Sequence, residues 1–308
     1  MQARWDIFCT VVDNYGDIGV TWRLARQLVA EHGLVVRLWV DDLQAFQRLC
    51  PAVDPYVASQ WHAGVEVRFW SRDWQPVEPG DVVVEAFACQ VPAAFEAAMV
   101  RRSSKSLWLN LEYLSAEEWV EGCHGLPSPQ ANGLQKFFFF PGFAAGTGGL
   151  LRERDLLAQR QAFQADVEAR RIFLQALGVQ PLPGARMVSL FAYENPALAA
   201  WLDALVTAEQ VTQLLVPAGR IQADLQHWLG TETTAPGDSW QRGHLHIHVL
   251  PFMPQADYDR LLWACEFNAV RGEDSFVRAA WAARPLVWQI YPQDGNIHLE
   301  KLDAWLAR

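Results

Sequence analysis

The segment Asp13-Asn14-Tyr15-Gly16-Asp17-Ile18-Gly19 sets two carboxylates one tight turn apart, directly after an apolar run. Such a pair can hold a guanidinium, one acid accepting paired N–H bonds while the other removes a proton during attack. Asp13 and Asp17 are thus candidate catalytic residues, with Asp17 slightly preferred as the base, and Asn14, Tyr15 and Gly16 between them are candidate substrate contacts. The turn also partly fits a dinucleotide-binding fingerprint. Gly16 and Gly19 match its later glycines, and Asp41 and Asp42 sit where a ribose-binding acid is expected. Asn14 replaces the first glycine, however, and two acids beside a pyrophosphate would oppose the helix dipole that attracts it. A structural use is also open, with Asp13 as a helix N-cap and Asp17 as a solvated acid in the first turn.

A second cluster, Arg271-Gly272-Glu273-Asp274-Ser275, follows the apolar run Phe267 to Val270 and opens a helical stretch. Backbone N–H groups at Asp274 and Ser275 would face outward there, which suits a pyrophosphate, and Arg271 adds a permanent cation. The alternative is an Arg271–Glu273 surface salt bridge with Ser275 as N-cap. Phe191 and Tyr193, two apart just past another strand, would share one side of an extended segment. They offer an aromatic wall with one hydroxyl, or they pack in the core.

Other patterns read as structure. Asp257-Tyr258-Asp259 has the Asp-x-Asp form that holds a divalent cation on a donor diphosphate, but its place at a helix start favours a dipole-stabilising role. His244, His246 and His248 alternate along a strand, as a half-exposed strand face does. The fifteen tryptophans are spread among helix faces and strand ends, as packing residues are. No metal site is expected.

The elements that position these residues alternate. Trp5 to Val12 reads as a strand, Val20, Leu24 and Leu28 as a helical stripe stopped by Gly33, and Leu34 to Val40 as the next strand. Val65 to Trp70, Asp81 to Phe87, Leu107 to Leu111 and Phe137 to Phe140 read as further buried strands. Prolines and glycines from Pro127 to Gly149 punctuate the midpoint, and a long helical region from Leu151 to Leu177 follows. Strand and helix then alternate again: Arg186 to Ala192, Pro196 to Thr207, Val211 to Val216, Ile221 to Leu229, His246 to Val249, Asp257 to Ala264, Phe267 to Val270, Phe276 to Ala283 and Pro285 to Gln289. The expectation is an α/β protein of two Rossmann-like, doubly wound domains, residues 1–150 and 151–308, facing a central cleft. That suits either a two-domain dinucleotide enzyme or a glycosyltransferase of the twin-Rossmann type.

A chain of 308 residues exceeds the size at which one core stops growing, in keeping with two domains. A net charge of −10 with only 25 scattered Lys and Arg argues against a broad nucleic-acid surface. Five scattered cysteines without a Cys-x-x-Cys pair point to neither a disulfide framework nor a zinc site and suit a reducing compartment. No apolar run approaches the ~20 residues of a membrane span, and no export signal opens the chain, so a cytoplasmic location is expected.

Longer strings carry a family resemblance. The run from Trp5 to Leu28, Leu38-Trp39-Val40-Asp41-Asp42-Leu43, Asn110 to Glu117, Phe138 to Phe143, Ser189 to Glu194 and Arg271 to Ser275 resemble the elongation factor P arginine rhamnosyltransferases along the whole chain. The resemblance implies a GT-B fold, a dTDP-β-L-rhamnose donor and an arginine acceptor on elongation factor P, with inversion at the anomeric carbon and neither metal nor cofactor. It implies that the first domain takes the protein acceptor and the second the nucleotide sugar. It also implies that Glu273 is needed for activity, shaping the donor site or orienting Arg271, and that Phe252 and Gln255 meet the thymine. Gly272, Asp274 and Ser275 would line the diphosphate. Family members run longer and close with helices that return to the first domain, which this chain, stopping at Leu306-Ala307-Arg308, is expected to lack. The competing readings are a nicotinamide-dependent oxidoreductase and a non-catalytic binding partner of elongation factor P.

Overall fold

Runs of Val, Ile, Leu and Phe that are apolar on both faces have to be sandwiched between helices, and the chain builds two sheets of that kind. The computed structural model describes residues 2–12, 15–70 and 77–308. It divides into two compact units, one of Met1–Glu153 with Asp294–Arg308 and one of Arg154–Gln293.

The first unit runs β1 (Arg4–Cys9), α1 (Gly16–His32), β2 (Val35–Val40), α2 (Leu43–Leu49), β3 (Ser59–His62), β4 (Val65–Phe69), β5 (Val82–Ala86), α3 (Ala93–Arg101), β6 (Leu107–Leu111), α4 (Trp119–Cys123), β7 (Pro127–Pro129) and β8 (Gln135–Phe139). Its strands lie in the order β3-β4-β2-β1-β5-β6-β8-β7, parallel except for β3 and β7. Gly33 ends α1 in the left-handed conformation and donates its N–H to Leu28 and Val29. Inside the sheet, buried Asp6 accepts from Arg37 Nη2 at 2.7 Å, Trp39 Nε1 at 2.8 Å and Gly80 N at 2.6 Å, so β1, β2 and the approach to β5 are tied at one carboxylate.

The second unit runs α5 (Leu156–Ala165), α6 (Val167–Ala176), β9 (Arg186–Leu190), α7 (Leu198–Thr207), β10 (Thr212–Pro217), α8 (Gln222–Leu229), β11 (Ser239–Arg242), β12 (Leu245–Leu250), α9 (Gln255–Ala264), β13 (Phe267–Arg271), α10 (Asp274–Ala282) and β14 (Leu286–Gln289). Its order, β11-β12-β10-β9-β13-β14, repeats that of β3-β4-β2-β1-β5-β6, including one antiparallel edge strand. The two halves thus share a strand order. The α9–α10 pair is pinned by a buried fork in which Arg278 Nε and Nη2 donate to Asp259 Oδ1 and Oδ2 at 2.9 and 2.7 Å.

Four features differ from the sequence expectation. β1 stops at Cys9 rather than Val12, because the N–H groups of Val11 and Val12 go to the carboxylates of Asp41 and Asp17 instead of a ladder. The helical region 151–177 is two helices, because Asp166 leaves helical geometry and its side chain caps α6 by accepting from Ala169 N at 2.9 Å. The edge strand β3 exists because Ala63 and Gly64, at φ 48° and 77°, make a two-residue turn whose twist suits a hairpin.

The last difference is α11 (Ile297–Leu306), which belongs to the first unit and not to the second. Arg308 beyond it donates from Nε to Ala116 O at 2.9 Å. A helix that returns to the first domain is therefore present, contrary to the expectation from the chain's length. None of its residues is fully buried, so no strong apolar stripe announced it.

Candidate functional site

In each unit the first strand continues to one side of the sheet, and the strand on its other side enters later. The carboxyl ends of β1 and β5, and those of β9 and β13, are therefore switch points, where loops diverge and leave room for a ligand. Of the sequence-predicted residues that are described, Tyr15, Gly16 and Asp17 lie at the first place, Phe191, Tyr193 and Arg271 to Ser275 at the second, and Phe252 and Gln255 after β12.

At the first switch point, Asp17 is 3 % exposed. Its Oδ2 accepts the N–H of Val12 at 3.1 Å, and Thr21 Oγ1 donates to its backbone carbonyl at 3.0 Å. It is not the solvated first-turn acid of the structural reading. The carboxylate is turned into the loop after β1 and held there by the fold. Tyr15, half-buried, is the N-cap of α1, and Gly16 is its first residue. Asp13 and Asn14 lie outside the described residues. Asp41 braces the same loop by accepting from Val11 N at 2.9 Å, while Asp42 caps α2 through Ala45 N at 2.9 Å. Both acids that a nicotinamide reading would place on a ribose thus have work within the fold. Beneath the loop, burial pushes the Cys9 thiol well up, with Asp17, Cys89 and Asp41 adding to the shift, and pushes the Cys89 thiol up to about 12.

At the second switch point, the Arg271 guanidinium is 4.6 Å from the ring centroids of both Phe191 and Tyr193. This arginine is 7 % exposed, and its Nη1 is buried without a hydrogen-bond partner. An unsatisfied buried donor on a permanent cation costs free energy, and an anion accepting from it would offset that cost. The next residue, Gly272, has φ 59°, a left-handed turn natural to glycine, and its carbonyl accepts from Trp288 Nε1 at 2.6 Å. Glu273 is the N-cap of α10, and Asp274 and Ser275 are its first two residues. Ser275 is therefore not the cap, and the leading N–H groups of α10 point along the helix axis next to Arg271.

The aromatic wall extends to Tyr258, whose ring lies 5.5 Å from that of Phe191 in an edge contact. Burial pushes the Tyr258 phenol far up, and Ser275 pulls it the other way. Tyr258 stands on α9, and Gln255, buried, begins that helix after half-buried Phe252. The predicted Phe252–Gln255 loop is thereby joined to the wall of Phe191 through α9.

Sequence reasoning missed Gln289, Arg220 and Glu194. Gln289 Oε1 accepts from Tyr193 N at 2.9 Å and its backbone carbonyl accepts from Gly272 N at 3.2 Å, so it links the loops after β9 and β13. Arg220 pairs with Glu194 at 2.9 Å and stands 5.4 Å from the Tyr193 ring. The Arg220 guanidinium beside Glu194 holds its carboxyl below the ordinary range, with Arg271 contributing. Only Glu194, within the string Ser189 to Glu194, had any signal in the sequence.

The metal-like motifs are spent on structure. Asp259 is locked to Arg278, and half-buried Asp257 faces Arg260 at 3.4 Å. His248 reaches Gln213, and burial, with His246 beside it, lowers its pKa. Among the described residues no group of three or more His, Cys, Asp or Glu could hold a metal ion. Among them also, no helix is long and apolar enough to cross a membrane.

The family model described as "Elongation-Factor P (EF-P) rhamnosyltransferase EarP" matches residues 5–308. The protein-arginine rhamnosyltransferase of Pseudomonas putida is 66% identical over 307 residues, covering 100% of this chain and 81% of that one. Its counterpart from Pseudomonas aeruginosa is 62% identical over 305 residues, covering 99% and 81%. A solved structure describing EarP-mediated arginine glycosylation of translation elongation factor EF-P is 48% identical, covers 99% of this chain and 77% of its own, and superposes with a TM-score of 0.66. MurG of Acinetobacter baumannii, 14% identical with a TM-score of 0.53 over 100% of this chain and 84% of its own, shares the fold alone. The fold is GT-B, and the chain belongs to the elongation factor P rhamnosyltransferase family, EarP.

Proposed function

We propose that this protein-arginine rhamnosyltransferase moves L-rhamnose from dTDP-β-L-rhamnose to an arginine side chain of translation elongation factor P, inverting the anomeric carbon without a metal or cofactor. The observation that carries the donor side is Arg271, seated on Phe191 and Tyr193 with a buried N–H unspent beside the start of α10. That arrangement suits a nucleoside diphosphate, whose charge grows as the C1–O bond breaks. Asp274, Ser275 and Gly272 would line the phosphates, Glu273 would shape the turn or orient Arg271, and Phe252 and Gln255 would meet the base.

On the acceptor side, a guanidine nitrogen attacks C1 while a carboxylate takes its proton, and dTDP leaves with the bonding electrons. Asp17 or Asp13 is that base, with Asp17 preferred because the fold already fixes its carboxylate. A positioned base supplies roughly 10²–10⁴-fold of rate. An acceptor that serves translation also sets the reaction in the cytoplasm.

The test is the intact mass of unmodified elongation factor P after incubation with this protein and dTDP-β-L-rhamnose in excess chelator, with the linkage read by NMR. One added deoxyhexose in the α configuration is expected. A β linkage would refute inversion, dependence on added metal would refute the metal-free route, and no transfer despite dTDP binding would refute the acceptor.

A further inference from the structure

Beside the loop into which Asp17 is turned, the chain leaves β5 in an unusual way. Phe87 and Ala88 both have φ 57°, two successive left-handed residues without a glycine. Such backbone is disfavoured and persists where its surroundings impose it. Here Phe87 N donates to Leu111 O at 2.7 Å, and Cys89 Sγ to Phe8 O at 3.2 Å, binding the turn to β6 on one side and β1 on the other. The effect is to lay the Phe87 ring against Tyr113, with centroids 4.7 Å apart and planes at 25°. Phe87 is 9 % exposed and Tyr113 37 %, so the stack has a buried member and a partly exposed one.

The place matters as much as the shape. β1, β5 and β6 are consecutive strands, spaced about 4.8 Å apart, so the stack stands within roughly 10 Å of the end of β1. Cys89, just after β5, donates to Phe8 O on β1, and Val12, just after β1, donates to Asp17, so the turn and the acid both border the carboxyl end of β1. A flat cation laid on an aromatic face keeps its N–H edge free for a carboxylate in its own plane.

We propose that Tyr113, backed by Phe87, is the seat for the guanidinium of the acceptor arginine, a positioning residue that presents the guanidinium edge to the carboxylate of Asp17. This rests on the acceptor reading given above and adds the group that orients the nucleophile.

A double-mutant cycle tests it. Binding to unmodified elongation factor P, and to a variant with methionine in place of its target arginine, is measured for the parent, Tyr113→Phe and Tyr113→Ala, with dTDP affinity measured in parallel. Tyr113→Ala should weaken binding about 5- to 30-fold, Tyr113→Phe by no more than about 2-fold, and dTDP affinity should not move. The methionine acceptor should bind the parent poorly and Tyr113→Ala no worse. Losses that multiply, or an equal loss of dTDP affinity, would overturn the seat while leaving the acceptor standing. A parent that binds dTDP but not elongation factor P would overturn the acceptor reading and the seat with it.

Discussion

The guanidinium of Arg271 lies 4.6 Å from the Phe191 ring and 4.6 Å from the Tyr193 ring, which follow the end of β9, the strand next to its own. Charge, plane and place are thus set together. Arg271→Lys keeps the charge but loses the plane and the fork. It should weaken dTDP binding by about 10-fold and lower kcat by about 10²-fold, because the lost contacts matter most as the leaving group charges. Calorimetry and steady-state kinetics separate the two effects.

Asp17→Asn retains an oxygen that can accept from Val12 N, so the loop after β1 should stay in place. The side chain can no longer take a proton. We expect kcat to fall by roughly 10²–10⁴-fold with dTDP affinity unchanged. A variant that loses dTDP affinity instead would show that Asp17 serves the donor.

The two acids of the Asp-x-Asp string should behave differently. Asp259→Ala strands the buried Arg278 charge and should cost about 3–5 kcal/mol, read as a lower urea midpoint. Asp257→Ala breaks only an exposed pair and should change stability by less than about 0.5 kcal/mol. Equal losses of activity without loss of stability would revive a metal role for both.

Burial pushes the Glu112 carboxyl above its ordinary range, against the pull of Asn110, Lys301 and Lys136. The native state therefore binds its proton more tightly than the unfolded chain does. Its stabilising contribution is present at acid pH and is lost as pH rises through the raised pKa. Glu112→Gln keeps an acceptor for Asn110 Nδ2, now 2.5 Å away, and removes the charge. Tm should rise by a degree or two near pH 7.5, since the group is only half-buried, and should not change near pH 4.

Much of the site was visible as sequence because its residues cluster in short strings after strands. Arg271 to Ser275 and Phe191 to Tyr193 could be found one string at a time. Their meeting could not, since β9 ends at Leu190, β13 begins only at Phe267, and the two pair only through the sheet. Gln289 was invisible for the same reason. It is an ordinary polar residue until its side chain reaches Tyr193 N and its carbonyl reaches Gly272 N.

Alternating apolar runs, Gly33 as a helix stop and the acids and glycines after the first strand determined on their own that this is an α/β chain of two doubly wound halves. Those signals are local, written in side-chain periodicity and turn chemistry. Only the tertiary structure decided which strands adjoin and so where the two switch points lie. It also decided that Asp17 is buried and braced, that Asp41 supports the neighbouring residue, that Phe87 is forced under Tyr113, and that the last helix joins the first unit. These depend on contacts between residues far apart in sequence, whose energies no local pattern encodes.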